Sequence, residues 1–80
     1  MNEDLGGRLR AVVAATFGVP AASITDQSGA HSIETWDSMN HIHLIVALEA
    51  EFGVSFEPER AIELMTVASI EQALKALGAS

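Results

Sequence analysis

The sequence predicts an all-α fold, a small four-helix bundle in which three main helices and one short helix form a single domain over residues 1–80. Apolar residues make up 49% of the chain, which is enough for one core, and many of them are alanine, a strong helix former. The chain has two prolines and no tyrosine, and its β-branched residues do not alternate with polar ones over any length. These features favour helices over strands.

The first predicted helix begins near Asn2, a residue type preferred at helix N-caps, and ends before Gly18 and Pro20. Several of its side chains recur at helical spacing and are expected to form one buried stripe. These residues are Leu5, Leu9, Val12, Val13 and Thr16.

A long connection then spans residues 20–37, with one short helical turn expected between Pro20 and Ile24 and turn chemistry at Ser28 and Gly29. Connections of this length are uncommon in a small domain and often carry function. This one leads directly to Ser38.

The second helix is predicted from Ser38 to Phe52, followed by Gly53. A helical wheel places two apolar arcs on it. The core arc contains Leu44, Ile45, Leu48 and Phe52, and the second arc contains Met39, Ile42 and Val46. A small bundle rarely buries both faces of one helix, so we interpret the second arc as an exposed apolar patch beside Ser38 rather than as a wide core contact. Exposed patches of this kind mark binding sites.

Two helices follow in the last part of the chain. Pro58 is expected in the first turn of a short third helix at about Glu59 to Met65, and Thr66 is expected to cap a fourth helix. The fourth helix has its own apolar stripe, and Gly78 ends it. The stripe consists of Val67, Ile70, Leu74 and Leu77.

The charge balance limits the classes of partner. Eleven acidic residues against four basic ones give a net charge of −7, which disfavours nucleic acid and anionic membranes and suits basic protein partners. The chain has no cysteine, so any thiol chemistry has to come from an added group. The first residues lack the features of a signal peptide and no segment is long enough to span a bilayer, so we expect a cytoplasmic protein.

Ser38 lies where the loop becomes a helix. Asp37 or Ser38 is a suitable N-cap, and this structural role alone would explain both residues. The position also suits a phosphodiester on the serine, because free backbone N–H groups and the positive end of the helix dipole lie close to it.

Residues 36–40 (WDSMN), the apolar positions that follow, and residues 49–54 (EAEFGV) resemble the acyl carrier protein family. That family has Asp-Ser-Leu at the start of its second helix and an acidic-Phe-Gly-like turn at the end of it. Residues 57–74 are similar to the family's third and fourth helices, so the resemblance covers essentially the whole chain.

The resemblance implies that Ser38 receives 4′-phosphopantetheine from coenzyme A through a phosphopantetheinyl transferase, and that Asp37 contributes to recognition by this enzyme. The thiol of the arm would carry acyl or aminoacyl groups as thioesters, delivered by a loading ligase and used by synthase or transferase enzymes. Met39, Ile42 and Val46, together with Glu49, would meet these partners. A monomer that is not itself an enzyme is expected.

The sequence also departs from the family pattern. Carriers for fatty acid synthesis often have a denser acidic surface on the second helix. Here the acidic surface is sparser, because several positions of this helix hold residues that are not acidic: Asn40, His41, His43 and Ala50. This difference indicates a free-standing carrier of a specialised pathway, with polyketide, nonribosomal peptide and sugar-modifying systems all open.

Trp36 and the histidines near Ser38 have structural as well as chemical interpretations. Trp36 is expected to anchor the loop on the core rather than to contact the arm. His41 and His43, two residues apart, face different directions on a helix, so we expect no metal site, although the histidines could make partner binding sensitive to pH.

Two rival functions remain. One is an unmodified helical adaptor that binds through the second helix. The other is a small hydrolase or metal-dependent enzyme, which the absence of a catalytic set of residues disfavours.

Overall fold

The computed structural model describes residues 5–79 and shows four α-helices. They are α1 (Leu5–Phe17), α2 (Ser38–Phe52), α3 (Pro58–Glu63) and α4 (Val67–Ala76), and a 3₁₀ turn spans Ala21–Ser23. The described residues contain no β-strand, and the all-α prediction is confirmed. The predicted helix start near Asn2 lies outside the described residues.

The core is built from α1, α2 and α4, and from the long connection. Its fully buried side chains come from the stripes that the sequence predicts: Leu9, Val13, Leu44, Leu48, Val67, Ile70 and Leu74. The other predicted members of the first two helices, such as Leu5 and Ile45, are partly buried at the edge of this core. One prediction is wrong: Leu77 is 48% exposed, because α4 ends at Ala76 and the chain turns there toward Gly78.

Helices α1 and α2 run antiparallel, and contacts at both ends of the pair show this. At one end, the Thr35 hydroxyl donates to the Phe17 carbonyl over 2.9 Å. At the other, Arg8 forms an ion pair of 3.3 Å with Glu51, and its guanidinium carbon lies 4.6 Å from the centre of the Phe52 ring. The end of α1 therefore supports the loop just before Ser38.

The long connection follows a defined path because it is hydrogen-bonded to the start of α4. Ala30 N–H donates to the Met65 carbonyl over 3.0 Å, and Val67 N–H donates to the Ser28 carbonyl over 2.9 Å. A side chain at Gly29 would collide with the Met65 carbonyl and Thr66, so this close approach requires glycine. The connection is thereby held between the core and α4 on its way to Trp36.

The capping residues explain where α2 and α4 begin and end. Thr66 accepts from Ser69 N–H and Ser69 bonds back, which forms the predicted cap of α4. Gly53 ends α2 with φ of 65°, a left-handed conformation that favours glycine. Pro58 lies in the first turn of short α3, as predicted, but the helix spans Pro58–Glu63 rather than about Glu59 to Met65. Within residues 5–79, no helix combines the length and apolar character needed to cross a bilayer.

Candidate modification site and partner-binding surface

Trp36 anchors the segment that precedes Ser38. Its side chain is only 4% exposed and its ring stacks on Phe17, with the ring centres 4.8 Å apart and the planes 22° apart. The indole Nε1–H donates to Nδ1 of His41 over 3.0 Å. The prediction that Trp36 anchors the loop on the core is therefore confirmed.

Asp37 is the N-cap of α2. Its backbone is extended, and its carboxylate accepts from the N–H of Asn40 over 2.9 Å. The Asn40 side chain in turn donates to the Thr35 carbonyl over 2.8 Å. These two hydrogen bonds and the buried Trp36 fix the backbone on both sides of the junction between loop and helix.

Ser38 is the first residue of α2, and its side chain is exposed. The first N–H groups of a helix have no acceptor within the helix, and Asp37 takes only that of Asn40. The N–H groups of Ser38 and Met39 thus remain available near the serine hydroxyl. This arrangement fits a phosphodiester on Ser38, because a helix N-terminus attracts an anion.

His41, although one helical turn from Ser38, is not placed to act as its base. Both ring nitrogens already have partners, since Nδ1 accepts from Trp36 and Nε2 lies 2.8 Å from the Ala61 carbonyl. His31 and His43 are exposed. No group of three potential metal ligands occurs among residues 5–79.

The apolar patch of α2, consisting of Met39, Ile42 and Val46, is exposed at 65%, 60% and 60%. Leu44 and Leu48 of the core arc are fully buried, so the two arcs of the helical wheel separate as predicted. The role of the apolar patch in partner binding stays a prediction. Sequence reasoning missed Ile62, which is 71% exposed on α3, because a helix of six residues gives too short a pattern to assign a face.

Glu49, which was predicted with the partner-binding residues, has a structural contact. It is half-buried, and its carboxylate accepts from the N–H of Phe56 over 2.9 Å. This bond closes the turn between α2 and α3. No local sequence pattern predicts this hydrogen bond, because the two residues are seven positions apart and only Glu49 lies in a helix.

The comparisons with known proteins agree with this geometry. The family model of the phosphopantetheine attachment site matches residues 7–74. The chain is also 37% identical over 65 residues to acyl carrier protein 2 of Pseudomonas aeruginosa, an alignment that covers 81% of this chain and 82% of that protein. The chain therefore belongs to the acyl carrier protein family, and its prosthetic group is covalently attached 4′-phosphopantetheine.

Proposed function

We propose that 4′-phosphopantetheine is attached to Ser38 and that the protein carries acyl or aminoacyl groups as thioesters in a specialised biosynthetic pathway. The observation that carries the proposal is the position of Ser38: an exposed hydroxyl at the start of α2, held by the Asp37 cap and followed by an exposed apolar patch. When bound, the group supplies the thiol that a chain without cysteine lacks.

The attachment needs little from the carrier beyond presentation of one hydroxyl. The Ser38 oxygen forms a bond to the phosphorus that joins pantetheine to the nucleotide of coenzyme A, adenosine 3′,5′-bisphosphate leaves, and the serine proton passes to a base of the transferase. The hydrogen bonds of Asp37 and Asn40 fix the backbone that carries the Ser38 side chain, and the free N–H groups favour the new phosphodiester.

The test is the intact mass of the protein before and after incubation with coenzyme A and a broad-specificity phosphopantetheinyl transferase. We expect a gain of one phosphopantetheine group. A folded, demonstrably apo protein that gains no mass with two different transferases would overturn the proposal and leave the apolar patch as the surface of an unmodified adaptor.

Asp37 is proposed to serve recognition by the transferase as well as to cap α2, and two substitutions separate these roles. Asp37→Ala removes cap and charge, so we expect it to lose about 1 kcal/mol of stability. Asp37→Asn keeps a capping oxygen and removes only the charge, so its thermal unfolding should stay close to wild type while its modification slows. Full modification of Asp37→Asn at the wild-type kcat/KM would limit Asp37 to capping.

The apolar patch is proposed as the docking surface for the transferase, the loading ligase and the downstream synthase or transferase enzymes. We expect Ile42→Glu to lower kcat/KM for modification by at least about tenfold, because a charge in a desolvated contact costs on the order of 2 kcal/mol. Since Ile42 is exposed, far-UV circular dichroism should show unchanged thermal unfolding.

Ala11→Glu is the matched control for this substitution. Ala11 is exposed in the middle of α1, so the variant has the same net charge as Ile42→Glu but an intact patch. Equal losses in the two variants would indicate a general charge effect and contradict docking at the patch.

The proposed specialised pathway rests on the charge of α2. Residues 38–48 contain no acidic residue, although the whole chain has a net charge of −7. After the Asp37 cap, a partner that docks along residues 38–48 thus meets apolar side chains and no acidic side chain of this helix. Fatty acid synthesis, in which carriers often present a denser acidic face here, is the pathway that this surface suits least.

A further inference from the structure

The imidazole of His41 joins two segments that are distant in sequence. Nδ1 lies 3.0 Å from the indole nitrogen of Trp36, and Nε2 lies 2.8 Å from the carbonyl oxygen of Ala61 in α3. An indole N–H can only donate and a carbonyl can only accept. The neutral imidazole with its proton on Nε2 is therefore the form that satisfies both contacts.

Each contact matters for the placement of a functional element. Trp36 is two residues before Ser38 and anchors the loop that leads to it. Helix α3 has six residues and no buried side chain, so it is too short to be stable alone and depends on its contacts with the rest of the domain. His41 therefore connects the segment that presents Ser38 with a weakly held helix.

We propose that His41 is a positioning residue for the modification of Ser38, and that it holds the Trp36 segment and α3 together only in its neutral form; this inference rests on the proposed function. Protonation places a hydrogen on Nδ1. Two donors, the indole N–H and the new imidazolium N–H, then face each other with no acceptor between them, and the Trp36 contact is lost while the Ala61 contact can persist.

Among the described residues, the imidazole has no charged hydrogen-bond or ion-pair partner that could offset this repulsion. Within residues 5–79, His41 forms no ion pair, and its hydrogen-bond partners are the uncharged Trp36 side chain and the Ala61 carbonyl. None of the titratable and charged residues on the elements around it is bonded to the imidazole, and all but the half-buried Glu49, which accepts from Phe56, are exposed. They are Glu34 and Asp37 before α2, His43, Glu49 and Glu51 on α2, and Glu57, Glu59, Arg60 and Glu63 on α3 and its cap.

The first test uses the fluorescence of Trp36, the one tryptophan of the chain. Its emission depends on its hydrogen-bond partner, so we expect a one-proton change in emission once the pH is low enough to protonate the imidazole. The transition should disappear in His41→Gln and persist in His43→Gln, the matched control on the same helix. Persistence in His41→Gln, or loss in His43→Gln, would overturn the proposal.

The second test measures kcat/KM for modification in variants that keep one contact at a time. The amide of His41→Asn comes near the position of Nδ1 and can accept from Trp36, whereas the amide of His41→Gln comes near the position of Nε2 and can donate to Ala61. We expect His41→Leu to lower kcat/KM for modification about 3- to 10-fold, the range that one or two hydrogen bonds supply. Both amide variants should recover part of this loss in kcat/KM. Equal rates in all three variants, or a full rate in His41→Leu, would contradict the positioning role.

The pH profile separates positioning from a general loss of structure. The ratio of the wild-type kcat/KM for modification to that of His41→Gln should fall as the pH decreases. The ratio of the wild-type kcat/KM to that of His43→Gln should stay constant. Failure of the proposed function is recognised separately: if wild type takes up no phosphopantetheine but its fluorescence transition requires His41, the contact is correct and the function is wrong. Modification of wild type without a transition that depends on His41 refutes only the role of His41.

Discussion

Replacing Ser38 with alanine is expected to abolish the gain of one phosphopantetheine group and to leave the fold unchanged. The hydroxyl is the proposed attachment point, so its loss removes modification completely rather than slowing it. Ser38 is exposed and Asp37, not Ser38, caps α2, so stability should remain within about 0.5 kcal/mol of wild type. Intact mass measures the modification, and far-UV circular dichroism measures helix content and thermal unfolding.

Ser55→Ala provides the control for this experiment. Ser55 is another exposed serine, but it lies in the turn after α2 rather than at a helix N-terminus. This variant should gain one phosphopantetheine group at the wild-type rate. If instead Ser38→Ala kept the full mass gain, the attachment point would be elsewhere and the argument from the helix N-terminus would be wrong.

The elements that the sequence predicted correctly depend on local interactions. The start of α2 after Asp37, its end at Gly53 and the Thr66 cap of α4 each involve residues within about one helical turn. The two arcs of α2 could also be assigned, because a helix of 15 residues is long enough for its periodicity to separate a buried from an exposed face.

The features that the sequence did not predict depend on contacts between distant residues. The role of His41 requires Ala61, 20 positions away, and helical spacing contains no information about that pair. Glycine is needed at position 29 because the Met65 carbonyl, which is distant in sequence, lies where a side chain would begin. Glu49 is predicted at a partner surface, and its hydrogen bond to Phe56, a tertiary contact, was not predicted.

Trp36→Ala is expected to destabilise the protein by about 3–5 kcal/mol, the usual cost of removing a large buried aromatic side chain. The substitution leaves a cavity against Phe17 and leaves Nδ1 of His41 without its donor. Domains of this size are stable by only about 5–15 kcal/mol, so the midpoint of thermal unfolding should fall by at least about 12 °C. Circular dichroism during heating measures this shift without relying on tryptophan emission.

Trp36→Phe separates the two contributions of the indole to this stability. Its ring can still stack on Phe17, but it has no N–H for His41, so we expect a loss of about 1–2 kcal/mol, between wild type and Trp36→Ala. A Trp36→Ala protein within about 1 kcal/mol of wild type would show that the loop keeps its path through the Thr35 and Asn40 hydrogen bonds alone. The large expected difference follows from position: a side chain that joins α1, α2 and the loop directly before Asp37 couples the stability of the bundle to the presentation of Ser38.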